Sequence, residues 1–130
     1  MSPKATSPSY RVLPLPVVQR EARKLLTAEQ CREGIAAAKM LRFYPLAPDL
    51  DVKTCGDGLE LRIEGRSINR QGGLRAIFWV HERSHTIYIV DLFWKKTNRV
   101  SMADKHRMNH RIRQLKAVLA VSGDPWKSGQ

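Results

Sequence analysis

The feature that most constrains this chain is a pair of near-continuous apolar runs, LRAIFWV at residues 74–80 and TIYIVDLFW at 86–94. Both are rich in β-branched and aromatic side chains, which suit a pleated surface. The linker 81–85 (HERSH) is short enough for a hairpin. Strands that lack hydrophobic–polar alternation belong where a sheet is covered on two faces, so the runs read as neighbouring central strands. Arg75 and Asp91 are the charged exceptions inside them.

The remaining segments are arranged to extend and cover such a sheet. Residues 59–64 alternate, with Leu59, Leu61 and Ile63 on one side and Glu60, Arg62 and Glu64 on the other, which predicts a half-buried strand. Before it, 49–58 reads as a loop with a turn at Gly56-Asp57-Gly58; after it, 65–73 reads as a second loop carrying Arg66 and Arg70. Residues 10–13 suit an edge strand, stopped by Pro14 and Pro16, and Pro16 also suits the first turn of a helix through Val17, Val18 and Leu25. Thr27 and Gln30 have capping-box spacing ahead of Cys31, Ile35, Ala38 and Leu41, and Tyr44-Pro45 ends that helix. A last helix starts with the capping spacing of Ser101 and Asp104, carries the stripe Met108, Ile112, Leu115 and Leu119, and stops at Gly123, Asp124 and Pro125.

The resulting order, β-α-α-β-β-β-α, predicts an α+β fold: an N-terminal helical hairpin and a C-terminal helix packed on one face of a small, mostly antiparallel sheet. A single domain is expected over 10–121, with a disordered tail at 1–9 and a flexible one at 122–130. With 42 % apolar residues there is material for one modest core, but no run approaches the ~18 residues of a membrane helix. No apolar stretch follows Lys4, so a secretory signal is not expected and a cytoplasmic protein is. Cys31 and Cys55 are too few and too far apart for a metal knuckle or redox pair. His106 and His110 stand one helical turn apart but lack a third ligand beyond Asp104, and His81 and His85 bracket a turn; neither metal nor cofactor is expected.

Charge is the strongest compositional signal. Lys and Arg total 23 against 12 Asp and Glu, and the stretch from Arg62 to Lys116 holds 13 of the basic residues with only 4 acidic ones. Such an uneven field points to a polyanionic partner. Antiparallel pairing of the two apolar strands brings Lys95 and Lys96, at the end of one, beside Arg75 at the start of the other. Arg62, Arg66, Arg70 and Arg99 are expected nearby, so that the cations meet at one sheet edge and repel unless an anion lies among them. The C-terminal helix adds Lys105, Arg107, Arg111, Arg113 and Lys116, a face suited to the RNA backbone or simply to solvent. Trp79, Phe93 and Trp94 are candidates for base stacking, although burial suits Phe93 and at least one tryptophan better.

The run LELRIEG…LRAIFWV…TIYIVDLFWKKTNRVSMAD, followed by a basic amphipathic helix, resembles the RelE/HigB toxins of bacterial type II toxin–antitoxin systems. The strand end FWKKT is most similar to the phage-derived, HigB-like branch. The resemblance implies a ribosome-dependent endoribonuclease that cuts mRNA in the decoding site and is neutralised by a cognate antitoxin. By position it implies catalytic roles for Arg75, Arg62, Lys95 and Lys96, and RNA contacts from Arg66, Arg70, Arg99, Lys105, Arg107, Arg111 and Arg113. Glu60 stands where a lysine would fit the pattern, and no tyrosine follows Tyr88, which leaves the general base unassigned. Two other readings remain: a ParE-like toxin acting on DNA gyrase without nuclease chemistry, and a non-catalytic RNA-binding module.

Overall fold

The structure, a computed structural model, describes residues 10–46, 50–68, 73–95 and 99–122. Lys96 and Arg70, and the expected tails apart from the end of the last helix, lie outside them. The two apolar runs form β4 (Leu74–His81) and β5 (Thr86–Trp94), joined by a 3₁₀ turn at Glu82–Ser84 and by His85 in the left-handed region. They pair antiparallel in the middle of a five-stranded sheet of order β1-β5-β4-β3-β2. Strand β3 (Gly58–Arg62) flanks β4, and β1 (Arg11–Pro14) runs parallel to β5 at the opposite edge.

The outermost strand, β2 (Val52–Cys55), falls where the sequence suggests only loop. It pairs with β3 through the two-residue turn Gly56-Asp57. Gly56 takes φ 56°, the positive value that such a turn asks of its first position. A Cβ there would meet the Asn109 side chain, whose Oδ1 accepts the Asp57 N–H at 2.9 Å.

The helices form where the punctuation places them. Helix α1 (Pro16–Leu25) opens on its proline. Thr27 and Gln30 complete a reciprocal capping box on α2 (Ala28–Lys39), with bonds of 3.1 and 3.0 Å. The Ser101 hydroxyl accepts the Asp104 N–H at 3.0 Å to start α3 (Met102–Ser122).

Coverage of the sheet differs from the one-sided packing expected. Leu74, Ala76, Phe78, Ile87, Ile89 and Leu92 pack with Val18 and Leu41 on the α1–α2 side. Ile77, Tyr88, Val90 and Phe93 pack with Met108, Ile112, Leu115 and Leu119 of α3 on the other. Helices therefore cover both faces, which is why the two central strands carry so little alternation.

A β-bulge controls where α3 docks. Between the pairs Ile77↔Asp91 and Phe78↔Ile89, strand β5 holds one extra residue, Val90. Without it Asp91 would share the face of Ile89. The extra residue turns Asp91 to the α3 side, where it is fully buried. Its carboxylate accepts both Arg107 Nε contacts at 3.2 and 3.1 Å, Arg111 Nη1 at 3.0 Å and the Leu92 N–H at 2.9 Å. Arg111 also reaches the Val90 carbonyl at 3.0 Å and Glu21 of α1 at 2.8 Å. Burial leaves the Asp91 carboxyl above its ordinary value, with the hydrogen bond and charge of Arg107 and the charge of Arg111 offsetting only part of the rise.

Removing this carboxylate takes the buried partner from two arginines, leaving Arg107 with Asp104 and Arg111 with Glu21. Asp91→Ala is expected to cost about 3 kcal/mol in urea denaturation, the low end for a broken buried pair because the Arg107 side chain keeps 35 % exposure. Arg113→Ala, whose side chain is 71 % exposed and 3.9 Å from Asp57, should change stability by less than about 0.5 kcal/mol.

Candidate active site at the end of the sheet

Cross-strand register builds the candidate site. Lys53, Glu60, Ile77 and Asp91 form one row across β2, β3, β4 and β5, and Arg62, Arg75 and Phe93 form the row beside it. Ile77 and Phe93 belong to the core beneath α3, so both rows carry charged side chains on that face. The sheet's twist and pleat fix these neighbours regardless of what the side chains are.

Glu60 is the centre of the cluster. It falls on the polar side of an alternating strand, yet it is only 2 % exposed, so that strand is not the half-buried one expected. One oxygen, Oε2, accepts Arg75 Nε at 2.8 Å and Lys95 Nζ at 3.3 Å. The anion required among the expected cations is thus supplied by the chain itself. Arg75 spends a second donor, Nη1, on the Leu74 carbonyl at 3.3 Å, and Nη2 makes no hydrogen bond among the described residues.

Lys95 follows β5 and is held by backbone as well as charge. Its N–H donates to the Gly73 carbonyl at 2.6 Å. A Cβ at Gly73 would run into the Lys95 carbonyl oxygen, so the close approach of these segments requires glycine. Leu74 pairs with Trp94, and the Trp94 indole N–H donates to the Leu25 carbonyl at 3.3 Å, tying this end of the sheet to α1.

The Lys95 ammonium is pushed below its ordinary value of 10.5, first by burial and then by Lys53, which stands directly across β2 and β3 from Glu60; Glu60 acts in the opposite direction. Burial also pushes the Cys55 thiol up, with Glu60 adding to the effect and Lys105 and Lys95 opposing it. Cys55 is the last residue of β2, with Sγ 3.8 Å from the Met108 sulfur, and is a packed thiol rather than a nucleophile.

Of the residues expected at the site, Arg75 and Lys95 meet on Glu60, and Arg62 is the direct cross-strand neighbour of Arg75. They sit at the end of the central strands, not along a sheet edge. Arg62 is half-exposed and pairs with Glu64 at 3.2 Å. Arg66 is exposed in a turn whose Ser67 donates its N–H and hydroxyl to Glu33 of α2, at 3.1 and 2.8 Å. Arg99 and Arg113 are exposed and Lys105 is half-buried, whereas Arg107 and Arg111 are committed to Asp91. His106 and His110 lie exposed along α3, and no group of three potential metal-binding side chains exists among the described residues. Phe93 is core; Trp79 and Trp94 are partly buried.

Two members escaped the sequence reading. Lys53 lay in a segment read as loop, although the Gly56-Asp57 turn between VKTC and LELR carries a hairpin signal. The role of Glu60 had no local signal, since its partners are 15 and 35 residues away.

No family model and no curated protein matches the chain. Among solved structures, it is similar to a chain of the archaeal RelE–RelB complex from Pyrococcus horikoshii OT3, with a TM-score of 0.50 and 19 % identity over 68 % of this chain and 97 % of that one. At that identity the likeness establishes the fold: this is an α+β protein with a RelE-like arrangement of three helices and a five-stranded mixed sheet.

A buried lysine whose proton is held loosely leaves a signature in stability. Between the depressed folded value and 10.5, the unfolded chain binds the proton that the folded chain has released, so Lys95 makes stability rise with pH over that window. Urea midpoints compared for the parent and Lys95→Met should show a shallower rise, or a steeper fall, in the variant as the pH approaches 10.5.

Proposed function

We propose that the chain is the toxin of a toxin–antitoxin pair and that the Arg75–Lys95 cluster cleaves RNA, with mRNA on the ribosome as its substrate. The observation that carries this reading is the pairing, on one buried carboxylate oxygen, of an arginine with a spare guanidinium edge and a lysine with a weakened hold on its proton. The RelE-like fold and the resemblance of the FWKKT strand end to HigB-like toxins support it.

The chemistry follows from those two groups. Lys95 in its neutral form takes the proton of the ribose 2′-OH, and the 2′-oxygen forms a bond to the adjacent phosphorus as the bond to the 5′-oxygen breaks. The leaving 5′-oxygen takes a proton from water, giving a 2′,3′-cyclic phosphate and a 5′-hydroxyl. Arg75 presents Nη2 to the phosphoryl oxygens, where charge accumulates in the crowded transition state. Arg62, half-exposed beside it, adds a second cation to the same phosphate. Arg66, Arg99, Lys105 and Arg113 hold the flanking RNA backbone, together with Arg70, which, like the catalytic candidate Lys96, lies outside the described residues.

Antitoxin capture has a surface suited to it on the opposite side of the sheet. A cavity of about 500 Å³ lies between the α1–α2 hairpin and the sheet, lined by Val18, Ala22, Ile35, Ala38 and Ile89, with Arg23 and Lys39 also lining it. Leu25, Ile35 and Met40 are exposed on these segments. An acidic, apolar segment of an antitoxin matches this combination of apolar walls and basic residues.

A cell-free translation reaction with primer extension on the mRNA tests the enzyme. New 5′ ends are expected with the parent protein, reduced by about 10²- to 10³-fold in Arg75→Ala, the loss typical of removing one transition-state donor. Absence of new ends with the parent protein, or undiminished cutting by a folded Arg75→Ala variant, would overturn the reading.

A further inference from the structure

Three charged side chains gather at Lys95 or its carboxylate partner from three strands. Lys53 comes from β2, Glu60 from β3 and Arg75 from β4, while Lys105 of α3 acts, as Lys95 does, on the neighbouring Cys55 thiol. Only Glu60 among them is negative, and it serves two cations through one oxygen. The Lys95 side chain is 4 % exposed, so its neighbours, not water, decide whether its charge is tolerated.

Lys53 and Glu60 face each other directly across β2 and β3. They act on Lys95 with opposite signs. An ammonium beside a second ammonium is destabilised, whereas a carboxylate at 3.3 Å stabilises it. Arg75 competes for Glu60 at the shorter distance of 2.8 Å and so weakens the hold of that carboxylate on Lys95. Lys53 is itself exposed.

We infer that Lys53 and Glu60 are an opposed pair of positioning residues for Lys95, Lys53 driving the proton off its amine and Glu60 fixing the amine beside Arg75 and retaining the proton. The inference deepens the proposed nuclease reading, on which its catalytic consequence rests: the balance sets how much Lys95 stands ready as the base. Substrate phosphate docking against Arg75 would shift the balance again by adding a second anion near the amine.

The direct readout is the proton occupancy of Lys95, followed by NMR titration of the lysine ¹³Cε resonances, with Lys95 assigned by the signal lost in Lys95→Arg. Lys53→Met should move the Lys95 midpoint upward, and Glu60→Gln should move it downward. Glu60 is buried, and if Glu60→Gln does not fold, Lys53→Glu supplies the second arm at an exposed position, with an upward shift larger than that of Lys53→Met. An unmoved midpoint, or two shifts of the same sign from Lys53→Met and Glu60→Gln, overturns the inference. No RNA is present in this titration, so it stands or falls separately from cleavage. In a cleavage assay the limb of the pH–kcat profile set by Lys95 should move in the same two directions, a change that loss of packing alone would not produce.

Discussion

A carboxylate with almost no access to water, accepting from a guanidinium and an ammonium through a single oxygen, holds the functional end of this sheet together. Without Glu60 the ends of neighbouring strands would bring Arg75 and Lys95 together, beside Arg62, with no buried carboxylate between them. Coulomb repulsion in a partly desolvated setting would then act against the hairpin that forms the core. With Glu60 in place, the same cations are fixed at short range and their outer donors remain for an external anion. The energetic worth of such a cluster is in its geometry, since burying charges costs nearly as much as pairing them returns.

Asp91 repeats the device two strands along the same row. Glu60 and Asp91 flank Ile77 on the α3 face, two strand spacings or about 10 Å apart. Each neutralises two basic residues: Arg75 and Lys95 for one, Arg107 and Arg111 for the other. The division of labour differs. Asp91 ties α3 to β5 and, through Arg111 and Glu21, to α1, whereas Glu60 holds cations beside the half-exposed Arg62. The large positive charge of the chain is therefore not one continuous coat. Part of it is internal structure, and the cations left exposed, including Arg62, Arg66 and Arg113, lie around that structure.

Features encoded locally were legible in the sequence. The central hairpin, the Thr27–Gln30 capping box, the Ser101–Asp104 start of α3 and its apolar stripe all occur where spacing places them. Strand β2 was not legible because an exposed edge strand such as Val52–Cys55 needs little apolar content and reads as loop. The bulge at Val90 left no trace because a run without alternation has no pattern for an extra residue to break. The adjacency of Arg75 and Lys95 followed from antiparallel pairing, but the burial of Glu60 did not. Its position alternates with apolar residues as a solvent-facing one would, but the face it lies on is the one that α3 covers. Arg107 and Arg111 read as RNA-facing for a similar reason: their carboxylate partner becomes available only through the bulge.

A double-mutant cycle between Glu60 and Arg75 tests most directly whether the carboxylate organises the site. Stabilities of the parent, Glu60→Ala, Arg75→Ala and the double variant are measured by urea denaturation. A coupling energy of about 2 kcal/mol is expected for a buried, hydrogen-bonded pair of opposite charges. Single losses that add to within about 0.3 kcal/mol would contradict it, and would mean that the two side chains share a location without depending on each other.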